Sequence, residues 1–166
     1  MPKRLPVRAE IRVRRARAAD LPRLVEIEDQ VFATDRMSAR QLRHHIDNPK
    51  VDVLVALRGG TLAGAAVVFF HASHRGARLY SIAVAPEARG AGVGEALLAA
   101  AERGARARGR DMFRLEVRTE NAAARRLYER RGYRAFGTKA RYYEDGCDAV
   151  RYEKALTRGR VSPSRP

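Results

Sequence analysis

Apolar and polar positions repeat with the period of strands in some segments of the chain and with the period of helices in others. Isoleucine and valine alternate with arginine over 11–13, which predicts a short strand. Over 20–31 apolar side chains recur at helical spacing, with Asp20 as the expected N-cap. Ser38 is the expected N-cap of a second helix, which ends before Asn48. The first part of the chain is therefore predicted to form a strand followed by two helices.

Glycines and polar turns divide the rest of the chain into further strands and helices. Gly59 and Gly60 separate two apolar runs, which is typical of a β-hairpin. The later predicted elements are a strand over 78–84, a helix over 95–108, a strand over 111–118, a helix over 122–130, and two strands over 133–142 and 147–156. This order predicts one mixed α/β domain over 10–156, with a flexible basic arm at 1–9 and a disordered tail at 157–166.

A glycine-rich run at 89–94, Arg-Gly-Ala-Gly-Val-Gly, lies between a predicted strand and a predicted helix. The first amides of a helix have no carbonyl partner, and the helix dipole adds partial positive charge at the same end. Glycines also let the backbone approach a phosphate with no Cβ in the way. The run therefore predicts a binding site for a phosphate or pyrophosphate.

Two other phosphate-binding motifs do not fit this run. A P-loop requires Lys and then Ser or Thr after its last glycine, whereas Gly94 is followed by Glu95 and Ala96. A dinucleotide fingerprint requires Gly-x-Gly-x-x-Gly within a repeated βαβ unit, whereas the glycines here occupy every second position. A tight turn that binds no ligand is the remaining alternative.

The run resembles the acyl-CoA pyrophosphate motif of the GCN5-related N-acetyltransferases (GNAT). That motif is Arg or Gln, two residues, Gly, one residue, then Gly or Ala, and Arg89, Gly92 and Gly94 match it. The resemblance extends over 78–156, through the strings IAVAPE, LEVR, NAAA, LY and GY in the order of the family. It implies a single-domain, mostly antiparallel sheet flanked by helices, with a central parallel pair of splayed strands. Within the family, these strings are most like those of bacterial enzymes that acetylate the N-terminal alanine of ribosomal proteins.

The resemblance also implies acetyl-CoA as co-substrate and indicates where it binds. Backbone amides of the glycine-rich run would hold the pyrophosphate, with Arg89 as a nearby positive charge. The pantetheine arm would pair with the freed edge of the preceding strand, and one amide there would donate to the thioester oxygen. The residues expected to contact acetyl-CoA are Ile82, Ala83, Val84, Arg89, Gly90, Ala91, Gly92, Val93, Gly94 and Asn121. Asn121 has an alternative as a helix N-cap, and the side chains of Ile82 and Val84 are also expected to pack in the core.

Two residues are expected to carry the chemistry. Glu116 shares one face of its predicted strand with Arg114 and Arg118, although a central strand of a covered sheet should be apolar on both faces. Its residue type alone fits an ion pair with Arg114, Arg118 or an arginine of another strand. The resemblance instead implies that Glu116 is the general base, acting through water. It also implies that Tyr128 protonates the CoA sulfur, although a packing role is the alternative for this aromatic residue. A phenol suits this task because the unperturbed pKa values of phenols and thiols lie within about two units.

The acceptor amine is expected between the connection of the first two helices and the final hairpin. Phe32, Asp35, Tyr142 and Tyr143 are the predicted substrate-binding residues, with a solvated hairpin tip as the alternative for the two tyrosines. The predicted acceptor is a protein N-terminal α-amine. The alternatives are a lysine side chain, a polyamine or another small amine, and a third hypothesis is a basic nucleic-acid-binding module.

Net charge and residue composition do little to separate the acetyltransferase and nucleic-acid-binding hypotheses. The net charge is +15, but the arginines are spread along the chain without an aromatic-interleaved basic motif, so we expect only non-specific attraction to RNA. The single Cys147 excludes an internal disulfide, and adjacent His44 and His45 do not have metal-ligand spacing, so no metal is predicted. The N-terminus lacks the apolar region of a signal peptide, and the longest apolar run, 62–70, is too short to span a bilayer. A cytoplasmic protein with no membrane partner is therefore expected.

Overall fold

The computed structural model describes residues 9–71 and 75–157. The strands are β1 Ile11–Arg15, β2 Val51–Arg58, β3 Thr61–Phe70, β4 Gly76–Val84, β5 Met112–Arg118, β6 Arg134–Lys139 and β7 Ala149–Ala155. The α-helices are α1 Leu21–Val31, α2 Ala39–Asp47, α3 Val93–Ala107 and α4 Ala122–Arg130, with short 3-10 turns at Ala18–Asp20 and Pro86–Ala88. This order confirms the mixed α/β prediction. The predicted basic arm and tail lie outside the described residues, apart from residues 9 and 157.

The strands form one sheet in the order β1-β2-β3-β4-β5-β7-β6. All neighbours are antiparallel except β4 and β5, which are parallel. The parallel pairing begins with Gly76 opposite Met112 and ends with Leu79 opposite Leu115. Beyond that point β4 remains paired with β3 as far as Val84, and β5 remains paired with β7 as far as Arg118. The two central strands therefore separate at their carboxyl ends, as the resemblance implied.

A bulge in β4 explains where the two strands separate. Val67 of β3 lies opposite Ser81, whereas Val68 lies opposite Leu79, so Tyr80 is the extra residue of β4. A bulge bends its strand and increases the local twist. Because Tyr80 directly follows the last residue paired with β5, the bend directs the rest of β4 away from β5.

Helices cover the two faces of the sheet unequally. Helix α3 packs closely on β3, where Gly64 leaves room for Val93 and Leu97. Phe69, five residues along β3, points to the opposite face and contacts His45 of α2. Helices α1 and α2 pack over β2, β3 and β4 on that second face. On the same face, β5 and β7 carry a row of charged side chains that takes part in the candidate site.

Two predictions of local structure are wrong in detail. Helix α1 does begin after Asp20, but the Asp20 carboxylate makes no capping hydrogen bond to the helix. Arg14 donates two hydrogen bonds to it, at 2.7 and 2.9 Å, and lowers its pKa. This charged partner competes successfully with the helix amides because charge-assisted bidentate bonds are stronger than a neutral capping bond. By contrast, Ser38 accepts a hydrogen bond from the Gln41 amide and caps α2 as predicted.

The final hairpin is shorter than predicted. Strand β6 ends at Lys139 rather than at 142, and β7 begins at Ala149 rather than at 147. The chain leaves the strand conformation at Arg141, which has a positive φ of 50°. The amides of Tyr142 and Tyr143 then both donate to the Cys147 carbonyl and close a loop. The two tyrosines therefore lie on a loop, which turns them toward the ends of β4 and β5.

Candidate active site

The glycine-rich run forms a sharp turn into α3. Gly90 and Gly92 have φ values of 78° and 88°, a conformation that side chains with a Cβ rarely adopt. Gly92 is the N-cap of α3 and contributes no side chain to the helix end. The first amide that bonds back within this end of the helix is that of Ala96, which donates to the Gly92 carbonyl. The amides of residues 93–95 therefore precede the helical ladder and are oriented for an anionic ligand.

The turn fits a pyrophosphate sterically and electrostatically. A Cβ built on Gly90 meets nothing within 4 Å, and the nearest atom to a Cβ on Gly92 is 4.0 Å away, so the surface over the turn is open. Arg89 is exposed beside it and makes no ion pair with any residue in 9–71 or 75–157. The free amides, the helix dipole and this guanidinium are the groups that would hold a diphosphate, as predicted from the sequence.

The turn lies at the open end of the gap between β4 and β5. A Cβ on Gly94 would stand 3.5 Å from Val84 of β4 and 3.6 Å from Leu127 of α4. Ala83 is buried, and Ile82 and Val84 are half-buried, as expected for core-packed side chains. All three pair with β3, and no residue of β5 pairs with them. The β5 side of this segment is therefore available to pair with an extended ligand, as predicted for the pantetheine arm.

Glu116 lies on the second face of the sheet, where the gap begins. Its side chain is only 8% exposed, and its Oε2 atom accepts a hydrogen bond of 3.1 Å from Arg78 Nε of β4. Arg151, directly opposite on β7, places its Nε 3.7 Å from Glu116 Oε1. Of the ion pairs considered from the sequence, the structure thus forms those with arginines of other strands. Arg114 and Arg118 pair elsewhere, with Glu153 and with Asp145.

Tyr128 lies on the opposite face of the sheet from Glu116. It projects from α4, is 3% exposed, and packs against the rings of Tyr133 and Tyr152 at centroid distances of 5.7 and 6.1 Å. Tyr152 is paired with Leu115, the last residue of β5 that pairs with β4, so this cluster lies below the start of the gap. Burial, with a smaller contribution from Tyr143, raises the pKa of Tyr128 well above its usual value of 10.0. The phenol therefore stays protonated and can donate a hydrogen bond across the working pH range.

Asn121 is the N-cap of α4. Its carboxamide oxygen accepts a hydrogen bond of 3.1 Å from the Ala124 amide, so the capping alternative is confirmed. The side chain is exposed and its amide nitrogen remains available. A contact with the pantetheine arm therefore stays a prediction.

The two loops expected to bind the acceptor meet over the end of β5. Arg118 donates to Thr34 of the α1–α2 connection at 2.9 Å and to Asp145 of the β6–β7 connection at 2.7 Å. Asp35 accepts a hydrogen bond from the Glu144 amide and joins the two loops directly. The guanidinium of Arg118 also lies 4.2 Å from the centroid of the Tyr143 ring. The structure thus brings Asp35 and Tyr143 together at one edge of the gap.

The remaining predicted acceptor residues have different surroundings. Tyr142 packs edge-on against Tyr143 at 4.9 Å, and its hydroxyl accepts a hydrogen bond from Arg78, which also binds Glu116. Phe32 is half-buried and packs against the core where α1 ends. Burial raises the pKa of Tyr143 above its usual value, and the charges of Glu116, Asp35 and Arg118 all act on it. These groups therefore share one electrostatic environment.

Sequence reasoning missed the arginines that organise this environment. Arg78 joins Tyr142 to Glu116, and Arg118 joins the two loops. Arg78 stands between the apolar residues Ala77 and Leu79, which is a signal in the sequence, whereas Arg118 has no such neighbours on both sides. However, the sequence contains many arginines, and nothing in their spacing distinguished these two from the solvated ones.

The splayed parallel pair beside a glycine-rich turn is the arrangement that the resemblance implied for an acyl-CoA enzyme. Residues 16–156 match the model of the acetyltransferase (GNAT) domain, so the chain belongs to the GCN5-related N-acetyltransferase family. It is therefore an N-acetyltransferase, with acetyl-CoA as co-substrate.

Several members of this family are similar over most of the chain. A Mycobacterium tuberculosis protein named N-alpha-acetyltransferase RimI is 34% identical over 139 residues, covering 79% of this chain and 84% of its own. A Bacillus subtilis protein with the provisional name [ribosomal protein bS18]-alanine N-acetyltransferase is 31% identical, covering 83% of this chain and 91% of its own. The crystal structure of the ribosomal-protein-S18-alanine N-acetyltransferase from Escherichia coli has a TM-score of 0.80 at 26% identity, covering 94% of this chain and all of that one.

Two further findings concern the described part of the chain as a whole. Residues 9–71 and 75–157 include no group of three or more His, Cys, Asp or Glu side chains that could hold a metal ion. None of the helices in these ranges has the length and apolar character needed to cross a membrane.

Proposed function

We propose that this enzyme acetylates the N-terminal α-amine of a protein, and that a ribosomal protein beginning with alanine is its acceptor. The similar proteins from M. tuberculosis and B. subtilis and the E. coli structure carry names of this activity. The observation that carries the proposal is the pair of loops joined over the end of β5 by Arg118, beside the gap where the thioester would lie. An extended chain end can enter beside these loops and place its amine at the gap.

The proposed catalytic roles of Glu116 and Tyr128 rest on their positions on the two faces of the sheet beside the gap. Acetyl-CoA supplies the activated acetyl group, as a thioester. Glu116 and Tyr128 lie on opposite faces of the sheet, so the amine can approach from one side while the sulfur departs on the other. Tyr128, kept protonated by burial, donates a hydrogen bond toward the sulfur. Its raised pKa widens the difference from a thiol, so full transfer of the proton is less favourable than from an unperturbed phenol.

Glu116 is proposed as the base that accepts the amine proton through water. Arg78 and Arg151 contact its carboxylate from two neighbouring strands and fix its orientation. The same contacts suit a purely structural ion pair. The contribution of Glu116 to turnover at unchanged stability therefore discriminates between the two roles.

The first test measures release of free CoA with a set of acceptors. We expect turnover with a peptide that begins with alanine and none with the same peptide blocked at its α-amine. A blocked peptide containing lysine and a polyamine serve as the alternative acceptors. Robust turnover of either one, without turnover of any free N-terminal peptide, would contradict the proposed acceptor and leave the acetyl transfer intact.

The second part of the test uses Tyr128→Phe and Glu116→Gln with the preferred acceptor. Loss of general acid or base catalysis is expected to lower kcat by about 100-fold. Acetyl-CoA affinity and melting temperature are measured for both variants, so that a folding defect is not mistaken for a catalytic one. Full activity in both variants would contradict the roles of Glu116 as base and Tyr128 as acid.

A further inference from the structure

A cationic surface lies between α3 and α4, beside the middle and end of α3 and the end of α4. It is a depression of about 460 Å³, here called the α3–α4 depression. Its lining residues are Ala99, Glu102, Arg103, Arg106, Arg130, Arg131, Gly132 and Lys154. Five of these side chains are cationic and one is a carboxylate, which gives the lining a formal charge of +4.

The floor of the α3–α4 depression is formed by the carboxylate of Glu102, which has hydrogen-bond donors of the protein around it. The Glu102 side chain is 3% exposed and accepts hydrogen bonds from the Tyr133 hydroxyl at 2.9 Å and from Lys154 Nζ at 3.1 and 3.2 Å. Two longer ion pairs also reach its Oε2 atom, from Arg106 at 3.9 Å and from Arg131 at 3.8 Å. Arg131 also lies 3.8 Å from Glu95, so among the cationic side chains of the lining only Arg103 and Arg130 have no carboxylate beside them in the described residues.

The rim holds cationic groups that the protein itself does not satisfy. Arg103 and Arg130 form neither a hydrogen bond nor an ion pair with any residue of the described ranges. The Nε atom of Arg131 is buried and has no hydrogen-bond partner within the same ranges. Two helices therefore present convergent guanidinium groups toward one open space.

The chemistry of this lining favours phosphate. Guanidinium groups match phosphate oxygens with paired hydrogen bonds, and several of them around one depression can hold successive phosphates. No aromatic side chain lines it, so it offers no platform on which a base could stack. The contacts would therefore be made to a nucleic-acid backbone and would not depend on sequence.

We propose that the α3–α4 depression binds the phosphodiester backbone of RNA. The choice of RNA rests on the proposed function, because an enzyme that acts on ribosomal proteins meets them beside RNA. The positive charge of the whole chain adds to the attraction, but the converging arginines make this surface a defined site.

The test measures binding of a fluorescein-labelled single-stranded RNA of about 20 nucleotides, by anisotropy, over a series of salt concentrations. The variant Arg103→Ala/Arg130→Ala removes the two unpartnered rim arginines and leaves Glu102 and its partners in place. We expect its affinity to fall about tenfold at about 100 mM salt, and its salt slope to fall by about 1.4, as for two lost phosphate contacts. Saturating acetyl-CoA should not displace the RNA, since it binds at the other end of α3.

A matched control removes the same charge elsewhere. Arg40 and Arg43 are exposed on α2 and also have no partner in the described ranges, so Arg40→Ala/Arg43→Ala changes the net charge equally. We expect the control to weaken RNA binding less than about twofold. Equal loss in both variants would show diffuse attraction and overturn the proposed site, as would absence of RNA binding by the unmodified protein. Acetyl transfer to a short peptide should be unchanged in both variants, so failure here leaves the proposed function standing.

Discussion

At the residue scale, Gly92 and Gly94 have different reasons to be glycine although both belong to the same motif. Gly92 needs its positive φ of 88° to turn the chain into α3, and a side chain there is strained wherever it points. Gly94 lies within the helix, and its added Cβ would meet Val84 and Leu127 only at ordinary contact distance. The family pattern, which allows Ala at the last position, agrees with this difference.

The two glycines therefore give a matched pair of variants. Gly92→Ala is expected to cost about 1–2 kcal/mol in the turn and to weaken acetyl-CoA binding about tenfold, because the amides lose their alignment. Gly94→Ala is expected to keep the affinity within about twofold and to raise helix stability slightly. Calorimetric titration with acetyl-CoA measures both. Equal affinities of the two variants would contradict the assignment of the pyrophosphate to this turn.

Also at the residue scale, the residue type of Glu116 does not decide whether it acts as a base or as an ion-pair partner. Its residue type on a central strand fits an ion-pair partner, whereas the family resemblance implies a general base. The structure confirms that it is buried and paired, and it identifies the partners as Arg78 and Arg151. Its base role depends on the bound acceptor and stays a prediction.

At the element scale, the contact of α3 with β3 positions the glycine-rich turn. Gly64 allows this contact, because a Cβ there would stand 2.8 Å from the Ala83 carbonyl oxygen and 2.9 and 3.1 Å from Val93 and Leu97. The Ala83 carbonyl belongs to the backbone of β4 beside the gap, and Val93 is the first residue of α3. The same close packing therefore sets both the turn and one wall of the gap.

We expect Gly64→Ala to destabilise the protein by about 1–3 kcal/mol through overpacking. The melting temperature should fall by about 2–4 °C for each of these kcal/mol. Acetyl-CoA affinity should fall as well, because relief of the clash moves either β4 or α3. Gly137→Ala in the exposed strand β6 is the control, since a Cβ there meets nothing within 4 Å and should change neither quantity. A stable Gly64→Ala variant with normal affinity would contradict this account of the packing.

The bulge at Tyr80 is a second feature of this scale. The sequence predicted β4 correctly as a strand, and the splay from β5 was inferred only through the family resemblance. Neither the alternation of residues nor their type revealed that Tyr80 is unpaired with β3. A bulge depends on the register of both strands, which local sequence does not encode.

At the scale of the whole molecule, the excess of positive charge makes acidification unfavourable. The chain already carries +15, and any group that gains a proton adds to the repulsion. His45 is such a group: burial, and secondarily the neighbouring His44, lower its pKa below the usual 6.5. It lies on α2 with its ring against Phe69 of the sheet, at 5.1 Å between centroids, and its Nδ1 atom is buried without a partner in the described ranges.

This lowered pKa predicts the direction of the pH dependence of stability. The folded state binds fewer protons at His45 than the unfolded state, so stability is complete above the unfolded pKa of 6.5 and is lost as pH falls below it. We expect the melting temperature to decrease from about pH 7 to about pH 5, and His45→Gln to flatten part of that decrease. His44→Gln should have a smaller effect, because it removes only the secondary cause. A decrease of the same size in all three proteins would exclude His45 as its origin.

The sequence alone determined the element order, the glycine-rich turn that precedes α3 and, through the resemblance, the family. These features are local, since a glycine-rich run between a strand and a helix creates its anion site from its own backbone. Only the tertiary structure decided which of the many arginines compensate Glu116, where β4 leaves β5, and which loop residues meet at Arg118. It also showed that Asp20 binds Arg14 instead of capping its helix. In each case several chemically equivalent partners occur along the chain, and the distances that select one of them arise only when the sheet is assembled.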